Sequence, residues 1–292
     1  MTKISAFTRV VVGLHYGLSE EVTVDLAAEL AELLHLDLFG LFLADESVLS
    51  LAGLPFAREF RPSGGGWQPI DVERISIELE LETRRAKRRF SEAVRTRRTA
   101  ASFQILKAST ADTLRSVCRA GDIVIIAEPA NFAVWANHPL CSLVEAARHS
   151  ASAVLFVPCR IARQHGAVVA VAAGPDDPSI DVAAMIAVAA KEELVVIDAG
   201  TADAQSELSR LKGATMERRL ADASRLVEPQ YLSSLFKRLD ERLIVVTRRT
   251  FDDALPSLLG QLRRVPILAV APKLHEADSL AESRGQSDSK FS

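Results

Sequence analysis

Short unbroken apolar runs in this chain are separated by longer stretches in which apolar residues recur every third or fourth position. Arg9 to Gly13 (RVVVG) is β-branched and does not alternate, which predicts a parallel strand buried on both faces. Val22, Leu26, Leu30 and Leu33 then fall at helical spacing and predict a helix over Ser19 to Leu34. Ser19, Glu20 and Glu21 suit the start of that helix. Leu36 to Leu43 is the second strand. Strand, helix, strand implies a right-handed crossover and a parallel sheet.

Asp45 to Pro69 breaks the pattern. It holds Pro55, Pro62, Pro69 and the triplet Gly64-Gly65-Gly66, and reads as a mostly irregular excursion with a helical turn near Val48 to Leu51. Asp71 to Arg98 is one long helix, acidic first (Asp71, Glu73, Glu78, Glu80, Glu82) and basic last (Arg84 to Arg89, Arg95, Arg97, Arg98). That order complements the helix macrodipole. Strands follow at Ser102 to Lys107, Asp122 to Ala127 and Ala153 to Val157. Helices fall at Thr110 to Ala120, ended by Gly121, and at Leu140 to Ser150.

The series then starts again in shorter form. Strands are predicted at Ala167 to Ala173, Leu194 to Ile197, Thr215 to Arg219, Leu243 to Thr247 and Ile267 to Val270. Helices are predicted at Ser179 to Lys191, Ala204 to Leu211, Pro229 to Asp240 and Ala254 to Leu262. The endings of the halves correspond: GDIVIIAEP, a helix, then SAVLFVP in the first; RLIVVT, a helix, then VPILAVAP in the second. This gives domains at 1–160 and 161–272, joined at Arg160 to Gly166, and a polar tail at 273–292 that reads as disordered.

With 292 residues, 48% hydrophobic and 25% charged, the chain has enough apolar material for two globular cores. A net charge of -3 argues against a dedicated nucleic-acid partner. No apolar run is long enough to span a bilayer, and Met1 to Arg9 does not read as a signal peptide. Cys118, Cys141 and Cys159 are odd in number and lack CxxC spacing, which suits reduced thiols in a cytoplasmic protein.

The order of elements, and RHSASAVLFV from Arg148 to Val157 as a closing helix end and last strand, resemble the universal stress protein family. The resemblance implies two tandem flavodoxin-like or adenine nucleotide alpha hydrolase-like domains, each a parallel five-stranded sheet flanked by helices. In nucleotide-binding members the first strand ends in an Asp. The fourth is followed by Gly, two residues, Gly, nine residues, Gly, then Ser or Thr. Glycines let backbone N–H groups close on phosphate, and the hydroxyl sits at a helix N-terminus that favours anions.

Laid on this chain, those positions are Ala127, Ala130, Leu140 and Cys141, with Ser142 beside the thiol and His15 in place of the Asp. No glycine remains, Leu140 puts a side chain where backbone must approach, and Glu128 repels an anion. The second half has Thr247, Arg248 and Arg249 where its loop begins, and that loop is too short for the motif. The resemblance therefore implies no cofactor bound in the usual way. The alternative is ATP or another adenine nucleotide in an altered cleft lined by His15, Ala127, Glu128, Ala130, Asn131, Asn137, His138, Cys141 and Ser142.

Other constellations are weaker. His15, His138 and His149 match no metal-ligand spacing, so no metal site is expected. Cys141 and His138 lack a third orienting group, so no catalytic residue is assigned and an enzyme is not the favoured class. The basic end of the long helix reads as a solvated face rather than a nucleic-acid site. Leu54, Phe56, Phe60 and Trp67 in the excursion read as anchors that dock onto the chain's own second domain or a second protomer.

The expected function is a regulatory or scaffolding protein of the stress-protein class, acting through contacts with a protein partner that the sequence does not name. The alternatives are a nucleotide-binding sensor or weak ATP hydrolase, and an assembly factor for an enzyme or membrane complex. The resemblance also suggests an intramolecular pairing of Val154 to Val157 with Ile267 to Val270, or a homodimer.

Overall fold

The computed structural model describes residues 7–15, 21–44, 46–61, 66–107, 111–128, 139–150, 153–198, 216–226, 228–248 and 255–272. The chain divides into two compact units, residues 1–159 and 160–292. The excursion and the C-terminal tail apart, each unit repeats one alternation of strand and helix.

In the first unit β1 (Arg9–His15) leads through α1 (Glu21–Leu34) to β2 (Asp37–Leu43). After α2 (Glu46–Ala52), β3 (Arg58–Arg61) and β4 (Gly66–Pro69) comes the long α3 (Val72–Arg95). Then follow β5 (Ala101–Leu106), α4 (Ala111–Val117), β6 (Asp122–Ala127), α5 (Pro139–His149) and β7 (Ala153–Val157). The strands lie in the order β7-β6-β1-β2-β5, every neighbouring pair parallel. The middle of β1 and all of β6 and β7 are buried, as their unalternating sequences require. On the edge strand β5 only Leu106 is buried.

The second unit runs β8 (Ala167–Ala172), α6 (Pro178–Ala190), β9 (Leu194–Asp198), β10 (Met216–Leu220), α7 (Pro229–Leu235), β11 (Glu241–Thr247), α8 (Leu255–Arg263) and β12 (Ile267–Val270). Its order is β10-β9-β8-β11-β12, again parallel throughout. Counted within each unit, both sheets place their strands 3-2-1-4-5. Gly166 leads into β8, with φ at +129° and a position where a β-carbon would lie 1.9 Å from the Asp240 carbonyl oxygen. Only glycine fits there.

Two expectations need correction. The excursion is not mostly irregular: it holds α2 and an antiparallel hairpin of β3 and β4, with Phe60 opposite Trp67. Residues 58–61 (REFR) hold a single apolar residue and give no alternation in sequence; the cross-strand pair of Phe60 and Trp67 helps hold the hairpin together. The helix expected over Pro229 to Asp240 stops at Leu235. The chain turns there, with Arg238 at φ 71°, so that both Phe236 and Leu239 are buried. The helix expected over Ala204 to Leu211 lies outside the described residues.

Candidate functional site

In each sheet the strand order reverses between the first and fourth strands, and open α/β sheets receive ligands in the crevice at the carboxyl ends there. In the first unit the crevice lies over β1 and β6. The β1–β6 ladder ends where Gly13 stands opposite Ile126, and His15 and Glu128 each lie two residues beyond that pair. Glu128 follows the last residue of β6, Ala127, and its backbone N–H donates to the Val157 carbonyl at 2.8 Å. Glu128 is buried, and its two carboxylate oxygens and both ring nitrogens of His15 are shut off from solvent. A carboxylate held this way favours donors and cations and repels a phosphate.

The first turn of α5 stands over the same strand ends. Leu140 is fully buried, and Cys141 and Ser142 are half-buried. Leu140 and Leu143 reach down to Gly13, where an added β-carbon would lie 3.1 Å from Leu140 Cδ2 and 2.6 Å from Leu143 Cδ2. Gly13 thus serves close packing of helix on strand, and position 140 is part of the core. Ala130, Asn131, Asn137 and His138 lie outside the described residues. His149 ends α5, with Nδ1 2.8 Å from the Glu145 carbonyl oxygen and 3.4 Å from its carboxylate.

The second unit's crevice, over β8 and β11, is built differently. Asp177 caps α6 and is followed by Pro178 in the first turn. Its carboxylate accepts from the N–H groups of Ser179 at 2.9 Å and Ala173 at 3.0 Å, and from the Thr247 hydroxyl at the end of β11. The Ser179 hydroxyl donates to the Val171 carbonyl at 3.2 Å. The protein's own carboxylate therefore spans the crevice and takes the helix N-terminus that would otherwise attract an anion. Arg248 stands where the first unit has Glu128, and its N–H donates to the Val270 carbonyl at 3.0 Å.

Buried acids also begin both fourth strands, at the opposite ends of the sheets. Asp122 accepts from Arg9 Nη2 at 2.7 Å, Arg9 Nε at 3.1 Å and the Arg119 N–H at 2.9 Å. Glu241 accepts from Arg263 Nε at 2.7 Å, with Arg163 4.0 Å from its other oxygen. Beside Asp122, burial first and then the carboxylate push the Cys118 thiol up to about 11, which makes it inert at neutral pH. All three cysteines are free, Cys141 half-buried and Cys159 exposed. Among the described residues no three His, Cys, Asp or Glu side chains are grouped to hold a metal, and no helix is long and apolar enough to cross a membrane.

The sequence reading missed these acid–arginine pairs and the role of Asp177. The dipeptide Asp177-Pro178 was the available signal, since a capping carboxylate followed by proline marks a helix start.

The third feature is the surface of α2, the hairpin and the front of α3. Phe56 is 76% exposed, Phe60 57% and Trp67 66%; Leu54 is also exposed. The Phe60 and Trp67 rings contact each other with centroids 5.5 Å apart, tilted by 57°. On the hairpin's other face Glu59 accepts from Arg74 of α3, which also bonds Glu78 at 2.8 Å. Asp71 caps α3 by accepting from the Arg74 N–H at 3.0 Å.

No protein-family model and no curated protein matches the sequence. Solved structures do. A universal stress protein from Archaeoglobus fulgidus superposes with a TM-score of 0.52 at 11% identity, covering 90% of this chain and 96% of its own. A putative universal stress protein from Pseudomonas aeruginosa gives 0.51 at 16% identity, covering 95% and 99%. The chain has the universal stress protein fold. A functionally unknown protein of Pseudomonas aeruginosa PAO1 shares it, at 0.51 and 16% identity over 96% and 98% of the two chains. Similarity spans both units, so the universal stress protein fold accounts for nearly all of the chain.

Proposed function

We propose that this chain, with its universal stress protein fold, is a regulatory or scaffolding protein of the cytoplasm that acts through protein contacts and does not bind ATP in the usual way. The exposed Phe60–Trp67 pair on its own hairpin carries this reading. Large aromatics left in water on a tethered hairpin are what interface anchors look like before a partner covers them. The crevice chemistry supports it, since one crevice carries buried Glu128 and the other is filled by Asp177.

The test has two arms. Thermal unfolding with 1 mM ATP should move the midpoint by less than about 1 °C, whereas a micromolar site stabilises by about 4 kcal/mol at that concentration. Affinity capture from the native host should retain a protein that the F60A/W67A double variant loses. A shift of many degrees with ATP sinks the reading. A second reading, an adenine-nucleotide sensor, is favoured by His15 and Glu128, which each lie two residues past the last pair of the β1–β6 ladder at the switch point. It predicts that E128Q strengthens the ATP response by removing the repulsion.

A further inference from the structure

The exposed apolar surface of the first unit is concentrated in one stretch of chain. Leu51 on α2, Phe56, Phe60 and Trp67 around the hairpin, and Ile77 and Leu81 on α3 are all exposed. The parts are joined: α2 packs on α3, and Glu59 ties the hairpin to Arg74. At 3.6 residues per turn, Ile77 and Leu81 lie within about 60° of Arg74 around the helix, on the side that carries the hairpin. The six side chains leave on the order of 700 Å² of apolar surface in water, taking each aromatic as about 200 Å² when fully exposed. That exceeds the largest patch of a typical monomer, about 300–600 Å², and approaches the roughly 800 Å² that each partner gives a stable interface.

Charge decides what covers it. Between residues 46 and 82 there are seven acidic residues and three basic ones, a balance that repels phosphate-rich partners such as an anionic membrane or a nucleic acid. The sign then reverses within α3. Residues 72–82 contain Glu73, Glu78, Glu80 and Glu82 against Arg74. Residues 83–95 contain Arg84, Arg85, Lys87, Arg88, Arg89 and Arg95 against Glu92. A helix acidic in its first half and basic in its second complements an antiparallel copy of itself.

We infer that this surface binds a second copy of the chain across a two-fold axis, with the two α3 helices antiparallel and the Phe60–Trp67 hairpins flanking them. Such an interface is isologous: with the axis at the height of Thr83 the acidic half of each helix faces the basic half of its mate, and the two copies of Leu81 meet beside the axis. The pairs Arg84–Glu80, Arg85–Glu82 and Arg88–Glu92 on α3 are exposed ones that a partner's charges can exchange with at small cost. The inference rests on the contact reading above and names its first partner.

Sedimentation velocity on the full chain between 1 and 100 µM tests it. The wild type should be a reversible dimer. W67A and L81E, checked for native fold by circular dichroism, should each weaken association at least tenfold. A sharper arm uses charge at four exposed positions. The E73R/E80R chain, with nine basic and three acidic residues on α3, and the R84E/R88E chain, with seven acidic and five basic, should each be monomeric alone and dimerise when mixed. A wild type that stays monomeric at 100 µM overturns the inference, as does a dimer indifferent to W67A and L81E, or charge variants that show no preference for each other. A monomer that captures a host protein through Phe60 and Trp67 overturns self-association and leaves the contact reading standing. If neither event depends on those residues, both fall.

Discussion

The two crevices of this chain share a strand order and little else. Over β1 and β6 the fourth strand is followed by a buried glutamate, and a leucine from the covering helix is packed down onto Gly13. Over β8 and β11 the equivalent residue is Arg248, and a carboxylate from the first helix of that unit bridges Ala173, Ser179 and Thr247. An identical backbone hydrogen bond, from the residue after the fourth strand to the end of the fifth, fixes both positions. The fold therefore dictates where a crevice lies, while its side chains dictate what the crevice tolerates. Here one crevice carries the buried Glu128, and in the other the Asp177 carboxylate caps the helix N-terminus.

The comparison extends to the opposite ends of the sheets, where the largest effects are expected. Arg9→Met should cost about 3–5 kcal/mol, because it leaves the buried Asp122 carboxylate without its cation. Arg263→Met should cost less, about 2–3 kcal/mol, since Arg163 remains near Glu241. Urea unfolding of both variants checks the ranking, and equal losses would break the distinction between the two poles.

At the crevices themselves, Leu140→Ala should cost about 3 kcal/mol through the cavity it opens over Gly13. Asp177→Ala should cost about 2 kcal/mol, as a lost helix cap with two further donors released. If Leu140→Ala proves neutral in urea unfolding, Leu140 is not the core residue described and the first crevice is more open than its packing implies. If Asp177→Ala is neutral, the second crevice is not held by its carboxylate.

The smallest effect at neutral pH concerns Cys118, which has no counterpart at the Glu241 pole. Its folded-state value of about 11 lies above the unfolded value of 9.0, so its contribution is fully present below pH 9 and is lost as pH rises through 11. Two pH units correspond to a ceiling of about 2.7 kcal/mol. Stability measured from pH 8 to 11 should fall less steeply in Cys118→Ala than in the wild type, and identical slopes would remove the thiol from the account.

Much of this architecture was legible before any coordinates. The unalternating runs RVVVG, DIVIIA and AVLFV became buried strands, because burial on two faces removes alternation from the sequence. The apolar spacing from Val22 to Leu33 located α1 but not its buried face: Val22 is exposed, Leu26 and Leu33 are half-buried, and Val24, Ala27, Ala28, Leu30 and Ala31 pack inward. The excursion was misread, because REFR and GWQP each hold one large apolar residue beside prolines and glycines and offer no alternation to read. The exposure of Leu54, Phe56, Phe60 and Trp67 was not readable from their identity.

The sequence by itself determined which segments are strands and helices, their repetition in two five-stranded series, and the loss of glycines after DIVIIA. All of these are properties of neighbouring residues. Only the tertiary structure decided which charges meet. Arg9 and Asp122 are 113 residues apart and Thr247 and Asp177 are 70 apart, distances at which no local period carries information about a partner. Such pairs exist because parallel strands bring remote segments side by side in a low-dielectric interior, where each buried charge or donor needs a specific mate.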